Sequence, residues 1–195
     1  FASDCAGFAC ATGYYAGRKA ADYSDTIEEL AEIDQAEVDA ERERLYAPMN
    51  RTEGFTWKEL NMAISKAMQN YCGGVKNDDL LIQGIDLLKS YREEIVPQLY
   101  CNNPHELTRT HEVLDILDVS EMILQACLMR KSSSKQLCFY RSDYPQMDPK
   151  EDHCFITIRQ ENGVPVRGTV PGDYFGDLKT EYEKRNQDYI GGEAR

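Results

Sequence analysis

The residues in this sequence that are best suited to chemistry lie close together near residue 141. Arg141 and Asp143 flank Ser142 and are followed by the Tyr144-Pro145 pair. An arginine can hold a carboxylate substrate or a partner protein through its planar guanidinium group. The same spacing also permits a structural ion pair that orders the turn at residues 144–145, and this is the favoured alternative. Arg141 and Asp143 are therefore candidates for catalysis, to be weighed against that structural role.

The cysteines and histidines do not form a metal-binding pattern. The seven cysteines are scattered and contain no C-x-x-C pair, and the three histidines lack the spacing of metal ligands. We therefore expect no metal site in this chain. The odd number of cysteines predicts free thiols in a reducing, cytoplasmic environment. Cys127, which lies beside Leu124 and Leu128, is predicted to pack as a small core residue.

Charge and hydropathy exclude several classes of partner. The net charge of −12 makes nucleic acid an unsuitable partner, because that binding relies on basic side chains that neutralise phosphates. A basic protein surface suits the chain better. No apolar run approaches the roughly 18 residues that span a membrane, and no secretory signal is recognisable. Since single domains commonly contain about 100–200 residues, the length of 195 residues predicts one main domain.

Four longer helices are predicted from capping signals that precede apolar residues at helical spacing. The first begins at a capping-box pattern formed by Thr26 and Glu29 and ends near Pro48. The second begins at the same pattern in Thr56 and Glu59 and ends before a pair of glycines.

The other two predicted helices follow directly. One extends over about residues 78–95, and Pro97 closes it. The other begins at Asn103, because asparagine is a good cap and the proline after it suits the first helical position. It should continue to about residue 131. Since residues 113–129 are apolar on nearly every side, we expect this helix at the centre of a bundle.

The two ends of the chain differ from this helical region. Residues 7–23 are rich in glycine and alanine and are compatible with a helix that packs closely against another surface. Near the other end, CFITIRQ and VPVRGTV flank Asn162-Gly163, and Asn-Gly between β-prone runs predicts a hairpin. Residues 175–195 are charged and predict an arm that is frayed or docked on a partner. The start at Phe1 rather than Met leads us to expect a fragment or a processed chain.

Two stretches of the chain carry information beyond composition. Residues 4–23 read DCAGFACATGYYAGRKAADY, and residues 114–149 contain the motif Tyr-Arg-x-Asp-Tyr-Pro at 140–145. The first stretch resembles the closing strand, turn and helix of the FAD domain in the fumarate reductase and succinate dehydrogenase flavoproteins. The second is similar to the long C-terminal helix of that family and the turn after it. The resemblance covers about residues 2–150.

One departure from the family distinguishes its branches. Succinate dehydrogenases carry Glu-Ser-Arg-Gly-Ala-His before the Tyr-Pro motif, whereas this chain has SSSKQL at residues 132–137. A simple dicarboxylate dehydrogenase fits less well for this reason. Adenylylsulfate reductase α subunits also depart at this point and retain the aromatic-Arg-x-Asp pattern, so that branch fits at least as well.

The resemblance implies a parent enzyme that binds FAD. In the family an acidic residue meets the ribityl or adenosine-side hydroxyls, and Asp4 is the acidic match, with a helix-capping role as the alternative. The helix after it directs its N-terminus at the flavin, where free N–H groups and the helix dipole favour the electron-rich edge of the ring. Thr12 either faces the flavin or donates to a helix carbonyl. The cofactor-binding residues implied in this way are Asp4, Gly7, Phe8, Ala11, Thr12 and Gly13.

The function implied by the resemblance is that of the C-terminal part of a FAD-dependent oxidoreductase, which is inactive in isolation. The sequence contains no Gly-x-Gly-x-x-Gly after a first strand, so we expect FAD to require the N-terminal FAD-binding portion of the same protein. The chain would complete the flavin site and dock an iron–sulfur electron-transfer subunit, in the cytoplasm or, through partners, at a membrane. The alternatives are an adenylylsulfate reductase α-subunit-like fragment and a cofactor-free acidic helical interaction module.

The expected fold is mainly α. It is a C-terminal helical bundle of three to four long helices with a small β-hairpin and an N-terminal remnant of a FAD-binding domain. Four segments are expected: residues 1–23 are the closing turn and helix of that domain, 24–135 the bundle, 136–172 a strand and hairpin extension, and 173–195 a charged arm.

Overall fold

The computed structural model describes residues 2–29, 32–147, 154–162, 164–172, 176–177, 180 and 184, and the side chains from Cys5 onward. Two compact units divide the chain, Phe1–Arg44 and Leu45–Arg195. The first unit contains helix α1 and most of α2. The elements are, in chain order, α1 (Ala2–Ser24), α2 (Gln35–Tyr46), α3 (Trp57–Tyr71), β1 (Val75–Lys76), α4 (Asp78–Ser90), α5 (Pro104–Met129), β2 (Tyr140–Arg141), β3 (Cys154–Glu161) and β4 (Val164–Pro171).

The core of the second unit lies between α3, α4 and α5. Each helix contributes apolar side chains at a spacing of three, four or seven residues, which places them on one face. Full burial of one such side chain stabilises the fold by about 1.5–3 kcal/mol. The buried core residues are Leu60, Ile64 and Ala67 of α3, Leu81 and Leu88 of α4, Val113, Leu117, Leu124 and Leu128 of α5, and Leu99. The mainly α fold is therefore confirmed. Helix α5 packs against α3 and α4 on one side, but it is not enclosed as predicted, because Ile116, Val119, Met122 and Ile123 on its other side are 43–49% exposed.

The predicted hairpin is also present. Strands β3 and β4 pair antiparallel in a register that joins Cys154 to Pro171 and Glu161 to Val164. The connection between them is short, and Asn162 adopts the left-handed conformation, with φ of 52°, that asparagine tolerates in such turns. Both strands pack against α5.

Two of the predicted helix starts use the same pattern, and only one is correct. At Thr56 the capping box forms, because Thr56 accepts from the Glu59 backbone N–H and the Glu59 side chain accepts from that of Thr56. At Thr26 the prediction is wrong. The Thr26 hydroxyl donates to the Tyr23 carbonyl at 2.6 Å, at the C-terminal end of α1. Helix α2 begins nine residues later at Gln35, where Asp34 accepts from the Ala36 N–H at 2.8 Å.

The beginning of the chain differs from the strand and turn that the family resemblance implies. Residues Ala2–Ser24 form one continuous helix. No proline interrupts this segment, and its many alanines have the highest helix propensity of any residue. Its assignment to a FAD-binding domain stays a prediction.

The last two of the four predicted helices, α4 and α5, are placed correctly, with small differences at their ends. Helix α4 is α-helical over Asp78–Ser90 and continues as a π-helical turn at Tyr91–Ile95 and a 3-10 turn at Val96–Gln98. Helix α5 is capped by Asn103, whose side chain accepts from the Glu106 N–H at 3.0 Å. Most of the charged arm predicted at residues 173–195 lies outside the described residues.

Candidate functional site

Arg141 is held at the end of the bundle by a short parallel pairing. Strand β2 pairs with β1 so that Tyr140 lies opposite Val75 and Arg141 opposite Lys76. The Ser142 N–H extends the pairing by donating to the Lys76 carbonyl at 2.9 Å. This arrangement brings Arg141 between the N-terminus of α4 and the C-terminus of α5. Its side chain is fully buried, which requires compensation for its charge.

Arg141 obtains that compensation from four groups. Its Nε and Nη2 donate to the two carboxylate oxygens of Asp143 at 2.8 and 2.7 Å, in a bidentate pair. Nη2 also donates to Asp78. Nη1 donates to the carbonyls of Cys127 and Arg130, both at 2.8 Å. All five N–H bonds that a guanidinium carries are used within the chain, so none is left for a substrate.

These contacts cap two helices at once. The carbonyls of Cys127 and Arg130 lie at the C-terminal end of α5, where backbone acceptors lack helical partners and the dipole favours a cation. Asp143 accepts from the Asp78 N–H at 2.8 Å, at the N-terminal end of α4, where the dipole favours an anion. The hydrogen bond from Arg141 holds the pKa of Asp143 well below its usual range, with a further contribution from that backbone N–H.

Lys131 and Tyr144 complete the cluster. The Lys131 ammonium lies 2.7 Å from both carboxylate oxygens of Asp78 and, together with Arg141, lowers the pKa of that carboxyl group. The charges of Lys131 and Arg141 lie 4.9 and 5.0 Å from the centre of the Tyr144 ring, within the range of cation–π contacts. We call Asp78, Lys131, Arg141, Asp143 and Tyr144 the arginine cluster.

Ser133 attaches the loop after α5 to this cluster. Its hydroxyl accepts from the Arg141 N–H at 2.9 Å and donates to the Tyr144 carbonyl at 2.8 Å. Its own N–H donates to the Gln146 carbonyl at 2.7 Å. Ser133 is buried, as is Ser134. The serine run at residues 132–134 is therefore part of the folded end of the bundle.

A shallow depression of about 530 Å³ adjoins the arginine cluster. It is lined by Asn77, Asp78, Asp79, Ser142, Asp143 and Tyr144. Asp78 and Asp143 already receive hydrogen bonds from cationic side chains. The hydrogen bonds of the arginine cluster fix the ends of α4 and α5 relative to each other. The ion pair between Arg141 and Asp143 that the sequence favours is present, and a catalytic role for either residue stays a prediction.

The predicted cofactor-binding residues all lie on α1, but they do not share one face. At 3.6 residues per turn, Asp4, Gly7, Phe8 and Ala11 lie on the same face, whereas Gly13 is on the opposite one. Phe8 is 70% exposed. The side chain of Asp4 lies outside the described residues.

Thr12 adopts the local one of its two predicted roles. Its hydroxyl donates to the Phe8 carbonyl at 2.7 Å, one turn earlier in α1. Gly7 and Gly13 have open space where a side chain would begin. Of the predicted site residues, the structure therefore brings together Arg141 with Asp143, and separately Asp4, Gly7, Phe8 and Ala11 along one helix face.

Sequence reasoning missed Asp78 and Ser133 as partners of Arg141, and Lys131 as a partner of Asp78. Asp78 is 63 residues from Arg141 in the sequence, and only the packing of α4 beside α5 brings them together. The available signal was the acidic first turn of α4, because acidic residues at a helix N-terminus are stabilised there and can also pair with a cation from another segment.

Comparison with known proteins agrees with this fold. Residues 61–167, more than half of the chain, match the family described as fumarate reductase flavoprotein C-term. No curated protein sequence matches the chain. The structure of adenylylsulfate reductase from Archaeoglobus fulgidus is similar, with 22% identity and a TM-score of 0.73 over 80% of this chain and 27% of the other.

Two further structures show the same arrangement. The Sdh1 complex of Mycobacterium smegmatis in the apo form is 20% identical, with a TM-score of 0.66 over 86% of this chain and 30% of the other. A FrdA variant of E. coli quinol fumarate reductase is 19% identical, with a TM-score of 0.59 over 72% of this chain and 26% of the other. The chain thus spans less than a third of the length of these solved chains, and the likeness concerns the fold.

Proposed function

Because the chain belongs to the family of fumarate reductase flavoprotein C-terminal domains, we propose that it is the C-terminal part of a FAD-dependent oxidoreductase. In this proposal it completes the flavin site and docks an iron–sulfur electron-transfer subunit, in the cytoplasm or, through its partners, at a membrane. The observation that carries the proposal is the family match over residues 61–167, which begins within α3 and ends within β4. Flavin would supply the redox chemistry, and protein groups would position it.

In this proposal, helix α1 forms one side of the flavin site. Along α1, Gly7 and Ala11 carry little or no side chain on the face that also holds Asp4 and the exposed Phe8, so a planar ring would approach the backbone beside the Phe8 side chain. These residues offer a surface and do not enclose a ligand. We therefore expect FAD to bind when the N-terminal FAD-binding portion of the same protein covers this face.

A second candidate is an adenylylsulfate reductase α-subunit-like fragment. It is supported by the serine run, since Ser133 and Ser134 are buried where succinate dehydrogenases carry a different motif. The likeness to adenylylsulfate reductase, with a TM-score of 0.73, also supports it. The two candidates share the flavin and differ in substrate.

Matched substitutions on two faces of α1 test the flavin proposal. Ala11→Leu should lower the FAD content of the assembled parent enzyme several-fold, measured as flavin absorbance per protein, because the larger side chain occupies the space for the ring. Ala9→Leu is the control, since Ala9 is also exposed in α1 but lies on the opposite face. We expect the isolated chain to be colourless and to form no tight complex with added FAD.

Three results would contradict this proposal. Equal FAD content in both variants would remove α1 from the flavin site while leaving family membership intact. A stoichiometric yellow complex of FAD with the isolated chain would show that the flavin pocket lies elsewhere within these residues. A parent gene without an upstream Gly-x-Gly-x-x-Gly segment would instead favour the cofactor-free interaction module.

A further inference from the structure

Two cysteines meet where α3 and α5 end. Cys72 directly follows α3, and Cys127 lies in the last turn of α5. Their Sγ atoms are 3.9 Å apart, although the residues are 55 positions apart in the sequence. A disulfide bond is about 2.05 Å long, so movements of about 1 Å by each sulfur would close the gap. Both residues are half-buried, which leaves the pair accessible to a small reagent.

The backbone around the pair is held firmly. A side chain at Gly84 of α4 would meet the Tyr71 Cβ at 2.8 Å and the Leu124 methyl groups at 3.3 Å, so α3, α4 and α5 approach closely at this level. Tyr71 precedes Cys72, and Leu124 lies one turn before Cys127. In addition, Arg141 holds the Cys127 carbonyl at 2.8 Å. The proximity of the two thiols therefore follows from the packing of the core.

The surroundings make the two thiols unequal. The hydrogen bond from Cys127 lowers the pKa of Cys72 to about 7; burial opposes this, and the Lys76 ammonium adds to it. Lys76 is itself buried and fixed, because its ammonium donates to the Gly73 carbonyl at 2.7 Å. Sharing its proton with Cys72 raises the pKa of Cys127 far above its usual range. The lowered pKa favours Cys72 as the thiolate of the pair, with Cys127 as its hydrogen-bond donor.

We propose that Cys72 and Cys127 form a thiol–disulfide exchange site that reacts with low-molecular-weight disulfides. The Cys72 thiolate attacks one sulfur of the reagent, a mixed disulfide forms, and one reagent thiolate leaves. Cys127 then gives its proton to that thiolate and attacks the Cys72 sulfur, so that the Cys72–Cys127 bond forms and the second reagent thiolate leaves. The two protein sulfurs are together oxidised by two electrons, and one reagent disulfide is reduced to one thiol and one thiolate, which takes its proton from water.

The proposal does not depend on the flavin function, because both sulfurs belong to the described bundle. Formation of the bond would tie the end of α3 to the end of α5 beside the arginine cluster. Such a bond would form or break according to the redox state of the small thiols in solution. It would lie at the same end of the bundle that Arg141 holds together. Reduction by excess thiol reverses it.

Tryptic peptides allow a direct test. The purified chain is incubated with glutathione and its disulfide in varied ratios, remaining thiols are alkylated, and the protein is digested with trypsin. Cys72 then lies in the peptide of residues 67–76 and Cys127 in that of residues 110–130, neither of which contains another cysteine. We expect a linked pair of these peptides that lacks two hydrogens and disappears when excess reduced glutathione is added. The rate should rise with pH and be half-maximal near pH 7, because the thiolate of Cys72 starts the reaction.

Three controls determine the interpretation. The Cys127→Ser variant should retain the mixed disulfide at Cys72, because the second sulfur is absent. The Cys72→Ser variant should leave Cys127 reduced. Cys101 is buried, and burial raises its pKa, so it should resist oxidation by glutathione disulfide. When the chain is then unfolded and its remaining thiols are alkylated, Cys101 should carry the alkyl group at least ten-fold more often than Cys72. The proposal is wrong if Cys72 in the wild-type chain carries only glutathione, or if Cys72 and Cys127 stay as reduced as Cys101.

Discussion

The arginine cluster and helix α1 differ in whether their side chains are paired within the chain or exposed to solvent. In the arginine cluster a fully buried cation has all of its donors occupied by groups of the same chain. In α1 the described side chains from Cys5 to Gly17 are exposed, including a phenylalanine and two tyrosines. A site whose hydrogen bonds are complete can stabilise a fold, whereas an exposed surface of small and aromatic residues is suited to contact with another surface. The comparison therefore separates a region that maintains the bundle from one proposed to bind.

Removal of the arginine should have the largest effect. Arg141→Leu leaves Asp143 and the Cys127 carbonyl without their buried partner, and breaking a buried pair on one side costs about 3–5 kcal/mol. The free energy of unfolding, measured by urea denaturation, should fall by that amount. Arg141→Lys should recover only part of it, because an ammonium cannot reproduce the planar fork.

Arg109→Leu is the matched control for this substitution. Arg109 lies on the same helix that Arg141 caps, and it makes one exposed ion pair with Glu112 at 2.6 Å. Its loss should change stability by less than about 0.5 kcal/mol. Equal effects of the two substitutions would mean that the arginine cluster does not maintain the bundle, and the comparison with α1 would fail.

How much the sequence could predict is illustrated by its two capping-box patterns. Thr56 and Thr26 have the same local spacing. The helix after Thr56 buries Leu60, Ile64 and Ala67, whereas Ile27 and Ile33 are 43% and 79% exposed. Most helical stability comes from packing of an apolar face, so only the first pattern starts a helix. Local propensity predicted where α3 to α5 and the hairpin lie. It could not tell which of two identical patterns has a surface to cover.

The candidate site shows the same limit. The Arg141–Asp143 pair was predictable, because the partners are two residues apart. Asp78 was not predictable as a partner, because it is distant in the sequence. Cys127 contributes a backbone carbonyl and Ser133 a small hydroxyl group, and neither gives a sequence signal. The resemblance to a flavoprotein family directed attention to residues 4–23 and 114–149. The hydrogen-bond partners of Arg141, in contrast, depend on the packing of α4 beside α5.

Substitution of Asp143 should have an effect on stability that is smaller than that of Arg141→Leu and that depends on pH. The pKa of Asp143 is lower in the folded chain than in the unfolded chain, where it is about 3.9, so its contribution is present above pH 4 and is lost as pH falls below that value. Asp143→Asn should therefore lose about 1–3 kcal/mol at pH 7 and show a smaller further loss between pH 4 and pH 2 than the wild type. The measurement is urea denaturation at a series of pH values. A parallel acid dependence in both proteins would assign it to other carboxylates.

The smallest effect should come from Thr12, which tests the α1 side of the comparison. Thr12→Val keeps the shape of the side chain and removes the hydroxyl that donates to the Phe8 carbonyl. Because both groups are exposed, water replaces the lost contact, and the free energy of unfolding should change by less than about 0.5 kcal/mol. If the same substitution lowers the FAD content of the assembled parent enzyme while stability is unchanged, the hydroxyl also serves the flavin. If it lowers stability by more than about 1 kcal/mol, α1 carries structural interactions of the kind found around Arg141, and its proposed role as a binding surface loses its basis.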